Sequence, residues 1–171
     1  MGAMTPDYFR AFARYNAWAN RRLYQVAGTL SAEALAQHRP AAYFRSILGT
    51  LNHLVVADRI WLHRCEGCGP QHSRLADEPF PRFCDLLAVR RAEDERLIAY
   101  TDGLDQARLE RDLVFRTLRG QEMRQPLWQT LAHLFNHQTH HRGQAHALIK
   151  EAGVEPPDLD LLIFQREAAA Q

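Results

Sequence analysis

Between residues 44 and 64 apolar side chains leave almost no side of a helix uncovered. Ile47, Leu48, Leu51, Leu54, Val55, Ala57, Ile60, Trp61 and Leu62 recur at three- and four-residue spacing and nearly encircle it. Such a helix is stable only when other elements surround it, at the centre of a helical assembly or at a subunit contact. The rest of the chain supplies neighbours. Thr5-Pro6 offers an N-cap and a proline at the first helical position, and Phe9, Phe12, Ala13, Tyr15, Asn16, Ala19, Leu23 and Val26 continue a helix to about Leu30. Ser31 opens a short extra turn, and Arg39-Pro40 breaks the chain. Gly67, Gly69 and Pro70 end the second helix. Pro79 to Pro81 precede a third, whose core face is Leu86, Leu87, Ala88, Leu97, Ile98 and Tyr100 and whose stop is Gly103. Leu113 to Arg124 read as a small hairpin turning at Gly120. A fourth helix follows Pro126 and runs to about Ala152, with Gly153 as C-cap and Pro156-Pro157 beyond it. Leu159, Leu161, Leu162, Ile163 and Phe164 form a last short apolar segment that docks on the rest, with residues 168–171 frayed. The expectation is one all-α domain over residues 4–168: a four-helix bundle with a short C-terminal helix and a small hairpin before the last bundle helix. Residues 1–3 read as an expression scar.

A chain of 171 residues buries roughly 70% of its unfolded surface and needs no disulfide to hold a core. Its three cysteines, an odd number, agree with that. Cys65-Glu-Gly-Cys68 has the gap of a zinc knuckle or redox pair, but no second ligand pair and no preceding strand accompany it. Cys65, Cys68 and Cys84 are therefore read as ordinary thiols. A net charge of +1 gives no footprint for nucleic acid or for an anionic membrane surface. The apolar runs are too short to cross a bilayer, and no secretory signal pattern follows Met4, so a cytoplasmic location is expected.

Histidine stands out. Of nine, five fall between residues 133 and 146. Residues four apart on a helix lie about 40° apart, so both can reach one ion. His133 with His137, His137 with His141, and His137 with His140 all qualify. The apolar stripe of Leu127, Leu131, Leu134, Ala145 and Ile149 arbitrates: His141 lies roughly 50° and His137 roughly 90° from its centre, while His133 and His140 lie further toward solvent. Three protein ligands leave a metal one open position. His53, alone among the apolar residues of the second helix, is the best third ligand, because a buried imidazole needs a hydrogen-bond partner or a metal. His63, near that helix's end, reads as a surface residue. The competing reading is a satisfied core histidine beside a chance pair. A metalloprotease reading fares worse, because the zincin motif needs a glutamate general base after its first histidine and Gln138 follows His137. Asp58 is a candidate acceptor for a ligand ring nitrogen, though an ion pair with an arginine fits it better. Asn16 and Asn136 either face the pocket or bond local backbone. No general acid or base can be assigned.

The second helix with its His53, the run His137-Gln-Thr-His-His141-Arg-Gly-Gln144 and the first-helix Tyr15-Asn-Ala-Trp-Ala-Asn20 together resemble the DinB family, bacterial proteins named for DNA-damage induction. The likeness spans nearly the whole chain, and no ligand position departs from it. It implies a four-helix bundle in up-down-down-up order, often a homodimer, with a divalent metal on His53, His137 and His141. Zinc or nickel suits three imidazoles best; iron, manganese and copper are also compatible. The wider superfamily includes enzymes that use low-molecular-weight thiols, so the resemblance implies a metal-dependent thiol transferase or hydrolase acting on a small molecule. The alternative is a non-enzymatic stress or interaction protein with a structural or sensory metal. Direct DNA binding is suggested only by the family's name, and the balanced charge opposes it.

Overall fold

Thr5 accepts a hydrogen bond from the Tyr8 amide, Pro6 takes the first position, and helix α1 (Pro6–Ala27) follows. A computed structural model describes residues 4–40, 42–68, 72 and 74–170; the expected scar at residues 1–3 and the loop residues Gly69 and Pro70 lie outside them. The remaining elements are α2 (Ala32–Ala36), α3 (Ile47–Glu66), α4 (Phe83–Asp102), α5 (Gln106–Glu110), β1 (Asp112–Arg116), β2 (Glu122–Pro126), α6 (Leu127–Glu151) and α7 (Leu161–Ala169). The chain is mostly helical with one two-stranded antiparallel sheet. Among the described residues no helix is long and apolar enough to cross a membrane.

Local chemistry accounts for the element ends. Ser46 caps α3 by accepting from the Gly49 amide at 2.9 Å, and Gly67 closes it in the left-handed region at φ 73°. The helix therefore begins three residues later than its apolar run and ends two residues beyond Arg64. Helix α1 stops at Ala27 rather than Leu30, because the Thr29 and Leu30 amides turn back to Val26 and Ala27. The hairpin pairs Val114 with Arg124 and turns at Gly120, whose φ of 80° suits glycine. The tail is less frayed than expected: α7 runs through Ala169. Phe164 packs against Tyr15 and Trp18, and Trp18 donates from Nε1 to Glu167 at 2.7 Å.

Helix α1 lies against α4 and α6, and α3 lies against α6 and α4. Their facing sides build two apolar clusters. One contains Leu23, Tyr24, Ile47, Leu51, Leu54, Leu86 and Ile149. The other contains Phe9, Leu62, Leu97, Leu109, Leu131, Leu134 and Phe135. Each fully buried Leu, Ile or Phe contributes about 1.5–3 kcal/mol, so these clusters hold the fold.

Between the two clusters runs a buried polar layer to which every long helix contributes. Arg90 meets Asp58 at 2.6 Å and Asp94 at 3.0 Å. Asn20 donates to Asp94 at 2.8 Å, Arg142 donates to Asn16 and Asn20, and Gln138 donates to Asp58 and to the Leu54 carbonyl. Two arginines balance two aspartates, which is what allows them to be buried. Such a layer penalises sliding one helix past another, since a slip strands a charge in an apolar cluster. The all-round apolarity of α3 is thus consumed within one chain, by α4, α6 and α2.

Candidate metal centre

His53 sits in the middle of α3 and is 1% exposed, while His137 and His141 border the apolar stripe of α6. Because α3 and α6 pack together, the three rings converge, with centroids 4.3 to 5.0 Å apart. Each ring offers one nitrogen such that all three nitrogens lie within 4.8 Å of one another. His53 Nε2 and His137 Nε2 are 3.3 Å apart. Metal–nitrogen bonds of ~2.0–2.1 Å at tetrahedral angles would set ligand nitrogens ~3.3–3.4 Å apart. The observed separation fits that edge.

Hydrogen bonds on the far side of two rings select the tautomers. His53 Nδ1 lies 2.8 Å from the Leu75 carbonyl oxygen, which can only accept, so Nδ1 carries the proton and Nε2 keeps its lone pair. His141 Nδ1 donates to Gln144 Oε1 at 2.7 Å, and the Gln144 amide nitrogen donates on to His140 at 3.1 Å. His137 Nδ1 is buried and has no hydrogen-bond partner among the described residues. The rings are also held neutral. Burial, opposed by the Leu75 carbonyl and reinforced by His141, takes His53 down to about 4. Burial and then the neighbouring imidazoles take His137 down to about 3, and burial lowers His141 too. Neutral imidazole is the form that binds metal.

A strained turn presses on this cluster. Phe44 stacks on His53 with centroids 3.8 Å apart and an interplanar angle of 15°, and it meets His141 in a T-shaped contact at 5.4 Å. Arg45 next to it has a φ of 69°, a conformation that costs a non-glycine residue about 1–2 kcal/mol. Gly49 makes the turn possible, since a methyl group there would collide with the Phe44 carbonyl oxygen.

The other sequence candidates stand apart. Asp58 touches none of the three rings; it is paired with Arg90 and Gln138, so the histidine acceptors are Leu75 and Gln144 instead. Asn16 belongs to the buried polar layer and Asn136 is exposed. His133 and His140 are exposed, whereas His63 is half-buried rather than at the surface. Burial pushes the Cys65 thiol up to about 12, and all three cysteines are free. Gln144 was legible as a residue one turn beyond His141. A backbone carbonyl from a loop, as at Leu75, leaves no mark in a sequence.

Comparison with known proteins points to a family and a fold. The sequence model of the DinB family matches residues 3–171. Protein DinB of Bacillus subtilis (strain 168) is 25% identical over 166 residues, which span 92% of this chain and 95% of that protein. The crystal structure of a DinB-like protein from Bacillus cereus ATCC 10987 superposes with a TM-score of 0.62 at 23% identity, covering 85% of this chain and 91% of that one.

Proposed function

The chain belongs to the DinB family, and from that premise we propose that it is a divalent-metal enzyme in which His53, His137 and His141 hold one ion and leave a coordination position open. The reading is carried by three neutral imidazoles whose nitrogens lie within 4.8 Å of one another. Zinc or nickel is the ion that best suits this donor set, with iron, manganese and copper next. A bound ion supplies a Lewis acid that lowers the pKa of a water or thiol beside it. The chain's own part is to orient and to exclude. The Leu75 carbonyl and Gln144 aim two rings, and Phe44 covers one face of His53 against water. Gln138 is turned into the polar layer, where it bonds Asp58. The chemistry that fits is attack by a small thiol or by water on a small electrophilic substrate. The four long helices read as an up-down-down-up bundle and residues 4–168 as one domain. A cytoplasmic homodimer that binds neither nucleic acid nor membrane completes the proposal.

A second reading rests on the 3.3 Å pair alone: His137 Nε2–H donates to His53 Nε2, the cluster is a core hydrogen bond, and the protein is a non-enzymatic binding module. Cobalt substitution separates the two. The first predicts one cobalt ion per chain with the intense visible bands of a tetrahedral site, shifting when a small thiol is added. Bands indifferent to every added ligand indicate a closed structural or sensory site. No cobalt uptake favours the hydrogen-bonded pair.

A further inference from the structure

Arg64, in the last turn of α3, differs from Arg59, Arg96 and Arg116. Arg59 pairs with Glu93, Arg96 with Glu66 and Glu93, and Arg116 with Glu122. Arg64 meets no carboxylate and no hydrogen-bond acceptor among the described residues. Instead its guanidinium lies 4.5 Å from the Trp61 ring and 4.8 Å from the Phe115 ring, which meet edge to face at 5.4 Å. Two aromatic faces hold the planar fork without using its N–H donors. Burial lowers the guanidinium below its ordinary value.

This side chain lines a groove of about 400 Å³ between the hairpin and helices α3 and α6, together with Trp61, Phe115, Met123, Gln129 and His133. One of its lining residues, His133, neighbours the histidine cluster. The His133 ring meets Trp61 at 5.0 Å and His137 at 5.8 Å. Trp61 thus lies opposite His133, as His53 lies opposite His137, and eight residues of helix separate Trp61 from His53. We propose that this groove, which at Trp61 lies about 12 Å along α3 from His53, is an anion-binding subsite in which Arg64 grips a carboxylate of the substrate. The occupant is an elongated organic carboxylate whose body lies against Trp61, Phe115 and Met123, with the Gln129 amide available to it. A cation is disfavoured by the uncompensated charge, and a neutral hydrocarbon leaves that charge unpaired. That this carboxylate belongs to the molecule that reacts at the histidines rests on the metal-enzyme reading above; the subsite itself does not.

The test uses the full chain stripped of metal with EDTA and titrated with benzoate or its neutral isostere benzamide. Binding is followed by the Trp61 indole N–H signal in NMR spectra, identified with Trp61→Phe. Wild type binds benzoate in preference to benzamide. Arg64→Met weakens benzoate binding by about tenfold or more, the worth of one charge-assisted hydrogen bond, and Arg64→Lys falls between. His137→Ala/His141→Ala binds benzoate as wild type does. A folded Arg64→Met that binds benzoate like wild type would overturn the proposal, and so would equal affinity of wild type for benzoate and benzamide. Should Arg64→Met not fold, Arg64→Lys and the benzamide comparison decide. Failure of the chain to take up any metal would sink the enzyme reading and leave these titrations unchanged, so the two failures can be told apart.

Discussion

Lowering the pH from 7.5 to 5.0 in the metal-free protein tests whether His53 and His137 are truly held together and away from water. An unfolded histidine titrates near 6.5. His53 is depressed to about 4 by burial, against the pull of the Leu75 carbonyl and with help from His141. Its folded-state pKa is therefore below the unfolded one. The neutral ring costs nothing above pH 6.5, and stability falls as the unfolded chain takes up a proton the folded chain refuses. The loss ends near pH 4. At about 1.4 kcal/mol per unit, His53 contributes a loss of about 2 kcal/mol by pH 5.0. His137, depressed to about 3, is partly exposed, so solvent screening reduces its share to about 1 kcal/mol. Asp58 works in the opposite direction: burial raises its carboxyl to about 6, so acid stabilises it in the fold. Comparing wild type with His53→Phe/His137→Phe removes that contribution, because Asp58 touches neither ring. In urea denaturation with EDTA, the wild-type stability minus the variant's should fall by about 3 kcal/mol between pH 7.5 and 5.0. A difference that stays constant to within about 0.5 kcal/mol would mean that the rings take protons as freely as in water and are not held apart from it.

Three further outcomes follow from the same contacts. Asp58→Ala takes from the buried Arg90 one of its two carboxylates, leaving Asp94, and should cost about 3 kcal/mol in chemical denaturation, while Asp58→Leu/Arg90→Met should cost far less than the two single changes added. Gln144→Leu removes the acceptor of His141 Nδ1 and should weaken zinc affinity about 10–100-fold in a competition titration, with an unchanged helical circular-dichroism spectrum. Gly49→Ala forces the Phe44 turn off α3; it should destabilise the metal-free chain by about 1–3 kcal/mol and also weaken zinc binding, because Phe44 stacks on His53.

Helices α1, α3, α4 and α6, the hairpin at Gly120 and the three-histidine convergence were each written in apolar spacing, caps and breakers. His137 and His141 could be separated from His133 and His140 because a helical stripe has a measurable centre. The polar layer could not be foreseen. Gln138 and Arg142 stand on a core-facing arc of α6, yet their partners Asp58, Asn16 and Asn20 are about 80 to 126 residues away, and side-chain pairing across such distances has no periodicity. For the same reason Asp58 could be assigned an arginine but not Arg90 in particular. The strained Arg45 and the Leu75 carbonyl belong to backbone geometry, which residue types do not encode.

The most direct measurement is elemental analysis of protein purified without a metal-affinity tag, beside His137→Ala/His141→Ala. About one divalent ion per wild-type chain, and none in the folded variant, is the result expected of His53, His137 and His141 acting as one site. Wild type that stays metal-free after incubation with zinc and with nickel, or a variant that retains its ion, contradicts it.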